Sequence, residues 1–395
     1  MKFTGTIKFI ILSLFCALVF SCKDSYEPNY ESRDNEPILV VEGYINALGA
    51  SSRYKLSQTV PISAKTEDGI PISIVPVTGA ILIIESESGE IYQHQQSDAD
   101  GNYTFYHPIL DTETRYRLRI RVNNEEYLSS YVDVRISPEI ERVDWEETAD
   151  GVQLYVSTQD PNNDSHYYRW EYEETWRFFS RFNSELIYTN GAVRDRTREE
   201  QVSICFFSEN SSDIQIATSD GLSGDIIYNY PIRDIPRLSE KLEIRYSILV
   251  KQYVLSKEGY TYWDELRKNS ENLGDIFGTM PTELRGNISN ANDPQEAVIG
   301  MIEAVGVREK RIFIDNRELS EQWLVESEYY SGCALSDTTI NAAIQVFRDF
   351  PGLMPVYGFS VNPASLGYTH YAYSSRRCAD CTVRGTLTAP DFWQD

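Results

Sequence analysis

Histidine is scarce in this chain. Its 395 residues hold four, His94, His107, His166 and His370. A hydrolase needs a base placed against its nucleophile, and metal sites on helices often take histidines as H-x-x-x-H. None of the four stands in a nucleophile elbow or a metal pair. Basic residues are also short, with 36 Lys and Arg against 60 Asp and Glu and a formal charge of −24. Such a chain repels phosphate backbones and anionic lipid, which argues against nucleic-acid partners and direct membrane adsorption. Long hydrophobic runs are lacking too. The longest, Phe9 to Phe20, falls well short of the roughly 20 residues that span a bilayer. No internal repeat is evident. The expectation is a noncatalytic protein with no cofactor and no metal. Aromatics are plentiful by contrast, at 12% with 27 Tyr and 6 Trp. That is too rich for a disordered acidic chain, and the length suits two or more domains.

The first 21 residues read as a secretory leader, with Lys2 and Lys8 ahead of the apolar run. Val19-Phe20-Ser21-Cys22 resembles a bacterial lipobox, in which the leader is removed and the cysteine is acylated. Cys22 is therefore the expected lipidation site. Losing the leader takes the formal charge from −24 to −26, so the lipid does the anchoring. Several acyl chains on one residue hold stably where one does not. Residues 22–37 are acidic and almost free of aliphatic side chains, as in a solvated tether. Lys23-Asp24 partly resembles a signal for export to the outer face of the outer membrane, with Ser25 where a further acid is usual. The expected place is the outer membrane, lipid-anchored.

With Cys16 in the leader and Cys22 lipidated, Cys205, Cys333, Cys378 and Cys381 remain. In an exported chain they suggest two disulfides, and three pairings are possible. Zinc would want a second close pair beside Cys378-x-x-Cys381. Redox use would want that motif at a helix start after a strand, whereas Thr382 and Val383 beside it read as strand.

From Ile38 the chain alternates in short runs broken by Gly, Asn and Pro. Tyr116-Arg117-Leu118-Arg119-Ile120-Arg121-Val122 is the clearest. This pattern predicts a mainly β fold of two consecutive β-sandwiches, immunoglobulin-like or transthyretin-like, over 38–137 and 138–395. In the second, Tyr168, Trp170 and Tyr172 fall on one strand face with His166. Further strands are expected at Val202–Phe207, Ile214–Ala217, Leu242–Leu255, Ala297–Val305 and Lys310–Ile314. One short helix is expected near 256–272, capped by Ser256, stapled by Leu255 and Tyr260 and braced by Asp264 and Lys268.

Asp98, Asp100 and Asn102 alternate as at the start of a calcium loop, but no downstream Glu follows, and a β-turn at Asp100-Gly101 is simpler. Asp160 to Asp164 is read the same way. Pairs such as Glu173-Glu174 read as a solvated face. Trp170, Tyr172, Trp176, Phe178 and Phe179 read as core. Tyr357, Phe359, Tyr368, Tyr371 and Tyr373 lie among Gly358, Pro363 and Gly367, which suggests an exposed loop. Tyr357, Tyr368, Tyr371 and Tyr373 are the candidate partner or ligand contact.

Residues Val77 to Arg135 resemble a carboxypeptidase-regulatory or transthyretin-like sandwich. Several segments together, Val40-Val41-Glu42-Gly43-Tyr44-Ile45, Arg285-Gly286-Asn287-Ile288, Lys310-Arg311-Ile312-Phe313-Ile314 and the tail Cys378 to Trp393, resemble a Bacteroidota lipoprotein family carried as a domain of unknown function. Its members are often encoded beside TonB-dependent receptors. The resemblance implies an envelope accessory working with such a receptor, and supplies no catalytic residues. A surface adhesion or structural sandwich protein is the alternative.

Overall fold

The computed structural model describes residues 37–60, 74–271, 284–320, 323–362, 364 and 367–394. The leader, Cys22 and all but the last residue of the tether lie outside the described residues. No described helix is long and apolar enough to cross a membrane.

The first sandwich is built from two sheets. One runs Val298–Ile299, Leu39–Gly43, Ala50–Thr59, Asn102–His107 and Gln96–Ser97, with Ile74–Pro76 also on Ala50–Thr59. The other runs Ile288–Asn290, Glu125–Ser129, Tyr116–Val122, Ile81–Ser86 and Ile91–Gln93. Alternation places Tyr116, Leu118 and Ile120 inward, against Tyr54, Leu56, Tyr103 and Phe105 of the facing sheet. The intervening arginines point outward. Glu85 bonds Arg117 and Arg119 at 2.8 and 2.6 Å, and Glu126 bonds Arg119 and Arg121 at 2.7 and 2.8 Å. The strand's two faces thus serve core and surface separately.

The division at 137/138 does not hold along the whole chain. Leu39 pairs in parallel with Val298, and Tyr127 pairs with Asn290. The stretch expected as one second-domain strand, Ala297–Val305, is instead two short strands, Val298–Ile299 and Ala304–Gly306. It returns to complete the first sandwich. Asn287 fixes the return, because its side chain both accepts from Ile302 N and donates to Ile302 O at 2.8 Å. A three-stranded sheet of Val134–Ile136, Ala304–Gly306 and Ile45–Asn46, all parallel, follows directly.

In the second sandwich, Ile140–Glu147, Gly151–Gln159 and Ile226–Pro236 face the sheet Ile204–Asn210, Tyr167–Phe179, Arg245–Val254 and Arg308–Asp315. Val152, Leu154 and Val156 pack on Trp170, Tyr172, Trp176, Phe178, Tyr246 and Ile248. The helix forms over Lys257–Glu271. Ser256 Oγ accepts from Gly259 N at 2.9 Å, and Asp264 pairs with Lys268 at 2.6 Å.

One part of the architecture was not anticipated. Ser336–Thr339, His370–Ser375 and Leu353–Phe359 form a separate small sheet under the helix Ile340–Asp349. Phe182 and Val202, from an insertion between two strands of the second sandwich, pack on its Met354, Val356 and Ala379. Thr382 and Val383 are not strand. They lie in a 3-10 turn, Cys381–Val383, whose start is capped by the Asp380 side chain accepting from Thr382 N at 3.0 Å.

Candidate functional site

The four cysteines meet in the C-terminal module. Cys205 pairs with Cys381, and Cys333 with Cys378. The first bridge ties strand Ile204–Asn210 to the turn after the module. The second closes a 45-residue separation that contains the small sheet, its helix and the hairpin Leu353–Phe359/His370–Ser375. Closing such loops removes conformations from the unfolded chain, worth roughly 2–5 kcal/mol each. Charge is also distributed unevenly. Residues 331–395 hold four arginines and five aspartates, so only −1 of the chain's −24 lies there.

The hairpin carries the candidate tyrosines, and its register divides them. Gly358 pairs with Tyr371 and Pro355 with Tyr373, which puts Tyr371 and Tyr373 on one face. The Tyr368 ring covers Gly358, where any Cβ would strike it, and lies 6.4 Å from the Tyr371 ring. Tyr357 pairs with Ala372 on the opposite face, beside Phe359 and His370, whose rings stack at 5.6 Å. Tyr373 is spent on packing, with its ring 6.0 Å from Phe347 of the helix. Tyr357 and Tyr368 remain 40% and 52% exposed. Ile344 and Phe350, on and after the helix, are exposed in the same module. Sequence reasoning missed these two. The helical spacing of buried Ala343 and Phe347 behind the Thr339 cap was the available signal.

A cleft of about 800 Å³ lies between the link Val134–Pro138, the loop at Thr112-Glu113 and the turn Asp160–Ser165. Glu113, Glu139, Glu141, Asp160 and Asp164 line it together with Arg135. Asp160 is buried, and its side chain accepts from Asn162 N at 2.9 Å. Burial pushes its carboxyl up, but hydrogen bonds from Ser165, Asp164 and Asn162 outweigh it and hold the carboxyl below its usual range. Asp164 is pushed the other way, first by its bond to Asp160 and then by desolvation. The two carboxyls therefore titrate as a pair. Their hydrogen bonds are turn bonds, which fits the reading of this segment as a loop.

Ser219 stands beside both a histidine and a carboxylate, but not in the order of an acyl-transfer triad. Ser219 Oγ donates to Asp225 and stands 3.5 Å from His166 Nδ1. An acyl-transfer triad needs the imidazole between serine and carboxylate. Here the serine is in the middle, buried, with its proton given to Asp225. The other histidines are placed as structural groups. His107 Nε2 bonds Ser52 Oγ at 2.7 Å, His94 Nδ1 meets Leu82 N at 3.2 Å, and His370 stacks on Phe359. Asp98 accepts from Asp100 N and Asn102 N at 2.9 and 3.0 Å, as a turn residue does. Among the described residues no group of three His, Cys, Asp or Glu could hold a metal.

One expectation fails at Glu174. It is not on a solvated face but 2% exposed, bonded by Lys241, Arg233 and Tyr246. Glu174 shares the even-numbered face of its strand with Trp170, Tyr172 and Trp176, so alternation carries it inward.

The segments that carry the family resemblance are structural. The tail Phe392-Trp393 lies along the second sandwich, with the Arg311 guanidinium 3.4 Å from the Phe392 ring and Trp393 edge-on to Phe206 and Phe313. Asn287 closes the first sandwich as described above. No curated protein matches the chain. One solved structure that matches is titled "Complete structure of manganese lipoxygenase of Gaeumannomyces graminis and partial structure of zonadhesin of Komagataella pastoris". It is 11% identical, covers 56% of this chain and 90% of that one, and has a TM-score of 0.14, too low to bear on fold or activity. A family model described as Domain of unknown function (DUF4249) matches residues 23–311, and the chain belongs to that family.

Proposed function

We propose that the protein is a noncatalytic lipoprotein of the cell envelope, held at the outer membrane by acylated Cys22, that assists a TonB-dependent transporter in nutrient capture or uptake. The observation that carries this reading is the C-terminal module. It is clamped by two disulfides, nearly neutral within a strongly acidic chain, and presents exposed Tyr357, Tyr368, Ile344 and Phe350. Rigid apolar and aromatic surface of this kind suits docking against another protein. A tether to the same membrane holds the two at high effective concentration, so a modest contact suffices.

The test is crosslinking in intact cells, followed by recovery of the tagged protein in mild detergent and mass spectrometry of what comes with it. A TonB-dependent receptor is expected. Its absence would give first place to the surface adhesion or structural reading. Acyl mass on the peptide that begins at Cys22 tests the anchor separately. An N-terminal peptide without it would refute the lipoprotein assignment.

A further inference from the structure

Both disulfides end on one short motif, Cys378-Ala379-Asp380-Cys381, yet neither joins its two cysteines. The bridges differ in access. Cys205 and Cys381 are fully buried and so is Cys378, whereas Cys333 is half-buried and opens onto a cleft of about 900 Å³ that Phe179, Arg181, Leu238 and Tyr330 also line. Of the four bridged cysteines, Cys333 is the one that an external thiol can reach.

We infer that Cys333 is a thiol-exchange site, and that its opening is passed through Cys378 to the buried Cys205–Cys381 bridge. In the first step a thiolate attacks Cys333 Sγ. The Cys333–Cys378 bond breaks, a mixed disulfide forms on Cys333, and Cys378 leaves as the thiolate. Ser375 Oγ donates to Cys378 Sγ at 3.1 Å, which favours that departure, since a stabilised thiolate is the better leaving group. In the second step Cys378 attacks Cys381 Sγ. A Cys378–Cys381 bond forms and Cys205 leaves as a thiolate, which takes a proton from water. One external thiol is consumed, one protein thiol is released, and the number of S–S bonds is unchanged. No oxidant or reductant beyond the small thiol is needed.

The backbone around the motif is held while the sulfurs exchange. Phe182 N donates to Cys378 O at 3.0 Å, and Cys381 N donates to Val202 O at 2.8 Å. Asp380 between them caps the turn and pairs with Arg376 at 2.7 Å. A C-x-x-C spacing is one that closes readily into a disulfide, and the intramolecular attack gains from proximity. The outcome would untie strand Ile204–Asn210 from the turn at Cys381 and open the loop that encloses the aromatic hairpin. The inference does not depend on the transporter reading.

The experiment treats the full-length protein with limiting glutathione, quenches in acid, alkylates free thiols and maps the peptides. Glutathione on Cys333, a Cys378–Cys381 linked peptide and alkylated Cys205 are expected together. Alkylated Cys378 with an intact Cys205–Cys381 bridge would overturn the relay. Cys333→Ser frees Cys378 without any external thiol, so the purified variant should already carry the Cys378–Cys381 bridge and a free Cys205. The double variant Cys333→Ser/Cys378→Ser keeps the buried bridge but has no relay. In it Cys205 should become alkylated several-fold more slowly than in wild type under the same thiol, and equal rates would also overturn the inference.

Discussion

The Lys241 ammonium lies 2.6 Å from a carboxylate oxygen of Glu174, at a place where the two residues are only 9% and 2% exposed. The pair is embedded in a network. Tyr246 donates to the other Glu174 oxygen at 2.8 Å, Arg233 reaches it at 3.1 Å, and Lys241 rests 4.6 Å from the Trp176 ring centroid. Burial pushes the Tyr246 hydroxyl well above its ordinary range, with the charge of Glu174 adding to the effect. The acidic group at the centre of the second sandwich is thereby satisfied on both oxygens.

A buried charge left wholly uncompensated costs roughly 3–5 kcal/mol, but without Lys241 the Glu174 carboxylate keeps Arg233 and Tyr246 and loses only the partner of one oxygen. Lys241→Met should therefore lower unfolding free energy in urea by less than that, roughly 1–3 kcal/mol. The double variant Lys241→Met/Glu174→Gln removes the charge and keeps an acceptor for Tyr246. It should be more stable than Lys241→Met alone. A double variant less stable than the single one would mean that the charge itself is not the source of the loss.

Gly259 gives a second prediction, in which the usual sign is reversed. Gly to Ala inside a helix normally stabilises by about 1 kcal/mol. At 259 a Cβ would overlap the carboxylate of Glu303, which is itself 4% exposed and accepts from Ser256 Oγ at 2.7 Å. Gly259→Ala should destabilise by roughly 1–3 kcal/mol, the range for overfilling a packed site. The effect should shrink in a Glu303→Ala background. Equal losses in both backgrounds, measured by thermal melts, would show that the contact is not the cause.

How far the sequence disclosed these features depends on whether the cause is local. Alternation in Tyr116 to Val122 and the Ser256 cap are local, and both elements form as expected. Glu174 was misread because acid pairs were judged by composition, although its position in the strand phase puts it with Trp170 and Trp176. The return of Val298–Ile299 onto Leu39–Gly43 joins strands more than 200 residues apart in the sequence. Nothing in a short apolar run says which sheet it will join. Pairing of the cysteines is non-local in the same way. The split of the candidate tyrosines depends on the bulge between Pro355 and Tyr357, which shifts the register of that strand. A plain period-2 count from sequence would have set Tyr357 level with the wrong partner.

Asp315 supplies a pH prediction. Arg317 donates to its two oxygens at 2.7 and 2.9 Å, and a carboxylate oxygen also accepts from Arg317 N at 3.0 Å. The Arg317 side chain is the main cause that holds the Asp315 carboxyl down at about 2, against burial. An unfolded aspartate titrates near ~3.9. A depressed folded value means that the charged form is favoured by folding. The contribution is complete above the unfolded value and is lost as pH falls through about 2. Asp315→Asn keeps a residue type that caps the turn at Asn316–Glu318 but removes the charge. Its melting temperature should fall below that of wild type at neutral pH, and the gap should close as pH drops toward about 2. A gap of constant size across that range would show that the charge of Asp315 contributes nothing.

The hairpin tyrosines give the last prediction, because the register separates packing from docking. Tyr373 lies against Phe347, so Tyr373→Ala should lower stability by about 1–2 kcal/mol, in the ordinary range for lost packing. Tyr368 is half exposed and covers Gly358, which has no side chain to leave uncovered. Tyr368→Ala should stay within about 0.5 kcal/mol of wild type, as surface substitutions do. If the partner docks on the face shared by Tyr368 and Tyr371, alanine at those two positions should lower receptor recovery after crosslinking several-fold at an unchanged melting temperature. Tyr357→Ala, on the opposite face with Phe359 and His370, should leave recovery intact. Loss of recovery with Tyr357→Ala alone would move the docking surface to that other face. Full recovery with all three tyrosines replaced would remove the hairpin from the interface, leaving Ile344 and Phe350 as the apolar surface to test.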